Sequence, residues 1–259
     1  MKIILCAVFA FICSAYATLL IPVPDSPGFW GRTSATLPFG LPSEDSSPAR
    51  KASNLRLGFL WCEPVEDVDL KIAGFSAEWG NKNYRLASLF ISAALDSIYR
   101  SELFGLEGAF SYSLFTFGLA GSLNVQYVPG DDSWWSPKGK AGIVMDLPWN
   151  FAASALGELS SEDPFLSGWG VSWASDSLFV GFAEVFLDEK AHNRFCFGER
   201  VILGNFSIQN SFEFPGPAIS LGILLRIGAF GGGFGMENIK NFTESNAGTL
   251  IWTREISKF

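Results

Sequence analysis

Between about Leu55 and Phe259, apolar residues recur at every second position in short runs separated by turn-forming residues. A period of two places successive side chains on opposite faces of an extended strand, so the pattern predicts a succession of β-strands. The longest run is Phe115 to Tyr127. Phe115, Phe117, Leu119, Gly121, Leu123, Val125 and Tyr127 share one face, and Thr116, Gly118, Ala120, Ser122, Asn124 and Gln126 the other. That length suits a tilted strand crossing a bilayer, and aromatic residues stand at both ends as an interfacial girdle would. Ile143, Met145, Leu147, Trp149 and Phe151 also alternate, but Pro148 among them cannot donate to a ladder and points to a bulge or a strand end. Trp169, Val171 and Trp173 alternate with Gly168, Gly170 and Ser172, and a less regular strand spans Leu178 to Leu187.

Three consecutive segments allow a test of register. Their apolar faces are Phe195, Phe197, Val201 and Leu203; then Phe206, Ile208, Phe212 and Phe214; then Ile219, Leu221, Ile223, Leu225 and Ile227. The parity flips twice, as two-residue hairpin turns at Gly204-Asn205 and Pro215-Gly216 require. These turns predict Phe197 opposite Phe212, Phe195 opposite Phe214, Ile208 opposite Ile223, and Phe212 opposite Ile219. The same register puts Glu199 and Asn210 on the apolar face, where mid-membrane polar groups are costly, so both are expected near an interface. Leu86, Leu89, Phe90, Ala93 and Ala94 have helical spacing, which leaves a short helix open in that region.

Composition changes the meaning of the strands. Mean hydropathy is +0.25 and there are 25 phenylalanines, while charged residues make up 17% of the chain against roughly 25% in soluble proteins. Beyond the first residues no apolar run is long enough for a membrane helix. A hydrophobic chain without hydrophobic helices is either a large all-β core or a barrel whose outside meets lipid. The expected fold is all-β, a transmembrane antiparallel up-and-down barrel. Roughly 15 to 20 residues per strand and loop give about 12 strands, with a range of about 10 to 14.

Residues 1–17 read as a signal peptide, with Lys2, an apolar core from Ile3 to Cys13 and an A-x-A site at Ala15-Tyr16-Ala17. An uncleaved anchor extending through Ile21 is the alternative. Residues 18–54 carry Pro22, Pro24, Pro27, Pro38, Pro42 and Pro48 and show no periodicity; they form either a linker or a plug folded into the barrel of residues 55–259. Without Lys2 the mature chain holds 17 basic and 26 acidic residues, a formal charge of −9 with no basic cluster, which excludes nucleic acid as a partner. It also keeps only Cys62 and Cys196, no disulfide framework, so one long-range bridge or two buried thiols remain open.

No constellation of residues suggests an enzyme, a cofactor or a metal site. His192 is the one histidine, in the charged stretch Asp188 to Arg194 and without an adjoining serine. Gly74-Phe75-Ser76-Ala77-Glu78 fails the nucleophile elbow at its last position. Gly231-Gly232-Gly233 lacks the lysine and spacing of a phosphate loop and reads as small residues permitting close packing.

The signal at Lys2 to Ala17, the strands at Phe115 to Tyr127 and Phe195 to Ile227, the charged stretches Asp131-Asp132 and Asp188-Glu189-Lys190, and terminal Phe259 together resemble bacterial outer-membrane β-barrel proteins as a class. The resemblance covers roughly Leu55 to Phe259. It implies an outer-membrane location, lipid as surroundings, and the outer-membrane assembly machinery as a partner. The terminal pattern departs from that class, because Thr253, Glu255 and Ser257 share the parity of Phe259 while Leu250, Trp252 and Ile256 do not.

Parity then nominates lumen-lining residues: Arg200, Gln209, Glu213, Arg226, Asn124 and Gln126, accompanied by Ser207, Ser211, Ser220, Gly222, Thr116 and Ser122. Either they form a self-satisfied polar interior, or Arg200 and Arg226 face acids such as Glu213 across a water-filled constriction. Three functions remain open on these grounds: a channel or small-solute transporter, a structural or adhesive barrel with a closed lumen, and a soluble secreted β-sandwich that binds through its tryptophans.

Overall fold

The computed structural model describes residues 48–49, 54–63, 70–81, 83–95, 98–161, 165–175, 179–188, 193–214, 218–239 and 245–255. The strands among them are β1 (Asn54–Glu63), β2 (Leu70–Gly80), β3 (Tyr84–Leu95), β4 (Tyr99–Tyr112), β5 (Phe115–Tyr127), β6 (Trp134–Asp146), β7 (Phe151–Ser160), β8 (Leu166–Ser175), β9 (Phe179–Asp188), β10 (Arg194–Leu203), β11 (Phe206–Phe214), β12 (Ala218–Ile227), β13 (Phe230–Ile239) and β14 (Ser245–Glu255). Each pairs antiparallel with its sequence neighbours. β1 closes the ring on β14, from Asn54 opposite Glu255 to Glu63 opposite Asn246. Closure removes every sheet edge, which lipid could not have solvated.

The strand number is fourteen, at the upper bound of the expected range and above its centre of twelve. The connections are short, so each strand with its turn uses roughly 14 residues, below the 15 to 20 assumed. Connections at the end holding Asn54 and Glu255 have two to four residues, such as 113–114, 204–205 and 147–150; those at the other end have three to six, such as 96–98 and 128–133. Outer-membrane barrels carry their short turns on the periplasmic side. The end with Asn54 and Glu255 is called here the turn end, and the opposite one the loop end.

The register expected from turn parity is observed. Phe197 faces Phe212, Phe195 faces Phe214, Ile208 faces Ile223 and Phe212 faces Ile219. Gly204 takes a left-handed φ of 64° in its two-residue turn, a conformation a side chain would oppose. One local expectation is corrected. The helically spaced residues Leu86 to Ala94 lie within β3, because alternation with Arg85, Ala87, Ile91 and Ala93 inward satisfies the sheet on both sides. At Pro148 the strand end is found rather than a bulge: β6 stops at Asp146, Pro148–Asn150 form a 3-10 turn with Trp149 at a φ of 59°, and Phe151 opens β7.

The outward face is a continuous apolar band, including Phe59, Phe75, Phe104, Leu106, Leu119, Trp169, Phe197, Ile223 and Phe234, all exposed. Aromatic rings gather at its margins. Tyr84 packs on Phe110, Phe110 on Tyr112, and Phe151 on Trp173 at the turn end, while Trp61, Tyr127 and Trp135 mark the loop end. A band of this kind with an aromatic girdle at each margin is the surface of a bilayer-spanning barrel. The soluble-sandwich alternative is thereby set aside, since one closed sheet carries its largest apolar side chains on the outside. Cys196 is buried and forms no disulfide, so the long-range bridge is set aside as well. His192, Phe259 and residues 1–47 lie outside the described residues.

Single cysteines in a background without Cys62 and Cys196 test this assignment of faces. At Phe206, Ile208, Phe212 and Ile223 they are expected to react with a maleimide confined to the bilayer, whereas cysteines at Ser207 and Gln209 are not. Equal labelling of the two sets would contradict the register.

Candidate functional site: the barrel lumen

Alternation sends every second residue of each strand inward, and on β1 to β4 this delivers a row of opposite charges. Arg56 and Glu78 are direct cross-strand partners, while Arg85 and Glu107 follow on the next two strands, offset along the diagonal. Arg56 Nη1 lies 3.6 Å from Glu78 Oε1, Arg85 Nε 2.8 Å from Glu78 Oε2, and Arg85 Nη2 2.6 Å from Glu107 Oε2. Arg85 is 1% exposed and Glu78 2%. An ion taken so far from water is tolerated only with partners on its remaining polar atoms, and the alternating chain of four supplies them.

The rest of the inner surface follows the same rule in smaller units. Lys140 Nζ on β6 lies 3.5 Å from Glu158 Oε2 on β7. On β4 and β5, Ser101 Oγ donates to Asn124 Oδ1 at 2.7 Å, and the hydroxyls of Ser111 and Thr116 meet at 2.9 Å. An apolar inner patch of Val180, Phe182, Phe186 and Cys196 covers β9 and β10.

Two residues from outside the strands also lie within. Ala49 is fully buried against Val144 and Ala152, and the carbonyl oxygen of Pro48 accepts from Arg85 Nη1 at 3.4 Å. A Cβ built on Gly118, an inward position of β5, would fall 2.2 Å from the Pro48 carbonyl carbon. Only glycine leaves room for the chain to pass there. The interior near the turn end is therefore occupied by backbone that does not belong to the barrel wall.

The residues nominated from parity are distributed as follows. Arg200 and Gln209 are direct cross-strand partners, both buried, with Arg200 Nη2 donating to Gln209 Oε1 at 3.1 Å. Asn124 is bonded to Ser101, and half-buried Gln126 stands opposite Ser101 and Trp134. These two lie toward the loop end of β5, seven strands from β12 in a ring of fourteen, whereas Arg226 lies toward the turn end of β12, so the two sets do not share a level of the lumen. Arg226 is half-buried and faces Gly231 of β13, the first residue of the glycine run. Glu213 pairs with Cys196 and Ala218; its side chain lies outside the described residues. Arg200 pairs with Gln209, and Glu213 stands four residues further along β11, about 13 Å away along the strand.

Arg56, Glu78, Arg85, Glu107, Lys140 and Glu158 were missed by the sequence reading. For Arg85 the helical spacing of Leu86 to Ala94 hid the strand. For Glu78, the alternation of Ser76 and Glu78 with Phe75, Ala77 and Trp79 was a signal that could have found it. Among the described residues no group of three His, Cys, Asp or Glu is arranged to hold a metal.

No protein-family model and no curated protein matches the sequence. Solved structures do. The CymD monoaromatic hydrocarbon channel superposes with a TM-score of 0.66 at 11% identity, over 93% of this chain and 99% of that one. The Acinetobacter baumannii outer membrane protein Omp33 gives 0.56 at 12% identity, over 78% and 98%. A mutant of the Rh. blastica porin gives 0.50 at 6% identity, over 78% and 99%. The chain thus has the fold of the bacterial outer-membrane porins and channels.

Arg85→Met should leave Glu78 and Glu107 as buried charges without their central cation and lower unfolding stability by about 3 to 5 kcal/mol. Arg100→Met, which removes the outward partner of Glu102 from an exposed pair at the loop end, should cost less than about 1 kcal/mol. Urea unfolding of the refolded barrel, followed by its heat-modifiable gel migration, compares the two.

Proposed function

We propose that this protein is an outer-membrane channel or transporter for small solutes, and that part of the segment before β1 closes its lumen near the turn end. The observation that carries the proposal is the pair Pro48-Ala49, seated inside a charged lumen against Gly118, Val144 and Arg85. A wall that needed only to be stable would be served by an apolar interior, because replacing buried ion pairs with apolar side chains is often neutral or stabilising. The porin and hydrocarbon-channel neighbours support passage as the role, and the lipid-facing band supports the membrane as its place. The proposal assigns no reaction to the chain. Arg56, Glu78, Arg85 and Glu107, and Lys140 with Glu158, are arranged as ion pairs with one another, which suits selecting a solute better than transforming one. Insertion by the outer-membrane assembly machinery belongs to the same reading and rests on the closed antiparallel architecture.

A barrel whose lumen never opens is the second reading, favoured by inner side chains as deeply buried as Thr116 at 0% and Arg200 at 1%. Planar-bilayer recording of purified protein separates the two. Wild type is expected to conduct in small, short-lived events. Deletion of residues 18–49, or Gly118→Leu, which fills the space Pro48 occupies, should give larger and longer ones. If neither variant conducts, the closed structural barrel is correct.

The same recordings test Arg226, which we propose lines the lumen and favours anions. Arg226→Glu in the deletion background should move the reversal potential in a salt gradient toward that of the cation. An unchanged potential would remove Arg226 from the permeation path.

A further inference from the structure

The outer face of β10 and β11 carries a polar pair, Glu199 and Asn210. Both are outward-facing and exposed, and they are direct cross-strand partners, with Asn210 Nδ2 donating to Glu199 Oε1 at 3.2 Å. The expectation that they lie near an interface is not met. Glu199 is the sixth of ten residues in β10, and Asn210 the fifth of nine in β11, so both fall midway across the apolar band. Phe197 and Phe212 pack against each other on one side of the pair, and Val201 and Ile208 face each other on the other side. Their outward neighbours around the ring are Gly181 on β9 and Leu221 on β12.

Hydrocarbon offers nothing to a carboxylate or an amide, and intramembrane ionisable groups are accordingly rare on lipid-facing surfaces. Among the described residues the pair has one hydrogen bond between its members. The second Glu199 oxygen and the second Asn210 N–H are available to another molecule.

We infer that this face of β10 and β11 is where a second copy of the chain docks, through Glu199 and Asn210 of each. The symmetry of membrane proteins makes the pair self-complementary. Two copies inserted in the same direction are related by a two-fold axis along the membrane normal, which keeps every residue at its own depth and exchanges left with right across the contact. Glu199 and Asn210 are side by side, so the axis sets each Glu199 against the partner's Asn210. Strand tilt in a barrel is roughly 35–45°, which offsets the heights of cross-strand neighbours by only about 3 Å, within the reach of a glutamate side chain. Each carboxylate then accepts from its own Asn210 and from the partner's Asn210, and each amide uses both N–H groups. Gly181 beside Glu199 carries no side chain and leaves the approach clear. The inference needs the barrel to lie in a membrane; it does not depend on whether the lumen conducts.

The test uses the full chain in its outer membrane. Fractionation first establishes that the protein is membrane-embedded, so that failure of the membrane reading is seen separately. Leu221→Cys, beside Asn210 on the outer face, is then compared with Leu106→Cys on β4, which lies across the ring, both without Cys62 and Cys196. A short bis-maleimide in native membranes should join Leu221→Cys chains into covalent dimers and leave Leu106→Cys monomeric. The double variant Glu199→Leu/Asn210→Leu should keep the heat-modifiable migration of a folded barrel while losing the cross-link at Leu221→Cys and halving the protein mass measured in mild detergent. A monomeric wild type without cross-link, equal cross-linking at both positions, or a folded double variant that stays dimeric would each overturn the inference.

Discussion

The hydrogen bonds that join β1 to β14 are the constraint on which the rest of the structure depends. Fourteen strands in an open sheet would leave two edges of unpaired N–H and C=O groups, and in hydrocarbon each such group costs several kcal/mol. Closure converts a chain of local hairpins into a ring in which each strand has two partners. Once the ring is closed, alternation acquires a direction: one parity faces outward to lipid, and the other faces an enclosed interior.

The interior follows from that confinement. Charged side chains held inside a ring of backbone dipoles must find partners among their neighbours, and the cross-strand diagonal supplies them at regular spacing. Arg56, Glu78, Arg85 and Glu107 form a chain because adjacent strands bring alternate charges within 4 Å. The same confinement explains why a glycine at position 118 matters more than one at an open turn. Its missing side chain is the space through which Pro48 and Ala49 run, and Arg85 ties that segment to the charge chain by the Pro48 carbonyl.

The exterior follows a different rule. Lipid tolerates any apolar shape, so the outward residues vary freely among Phe, Leu, Ile, Val, Trp and small residues, while aromatic rings concentrate at the two margins. A polar group on this face stands out against a uniform background. Glu199 and Asn210 are conspicuous for that reason, whereas the outward pair Arg100 and Glu102 sits near the loop end, where charges meet water.

Local rules made much of this legible in the amino-acid sequence. The two-residue turn at Gly204-Asn205 and the parity of Phe206, Ile208 and Phe212 determined the pairing of β10, β11 and β12, because a strand's period of two and a turn's length are properties of adjacent residues. The strong alternation of β5 and the break at Pro148 were legible for the same reason. Other features were decided only by the ring as a whole. Strand number depends on how short every connection is, and fourteen rather than twelve emerged from turns such as Ser113-Leu114 that carry little signal of their own. Beside Arg85, the helical spacing of Leu86 to Ala94 left a helix open until β2 and β4 flanked the segment as strands. Pro48 and Ala49 are separated in sequence from Gly118 and Val144 by some seventy residues or more, and no local pattern records that contact. The sequence by itself determined which face each strand residue takes; the closed tertiary structure decided which of those residues meet, since only closure sets the distance between residues on strands that are not neighbours in the chain.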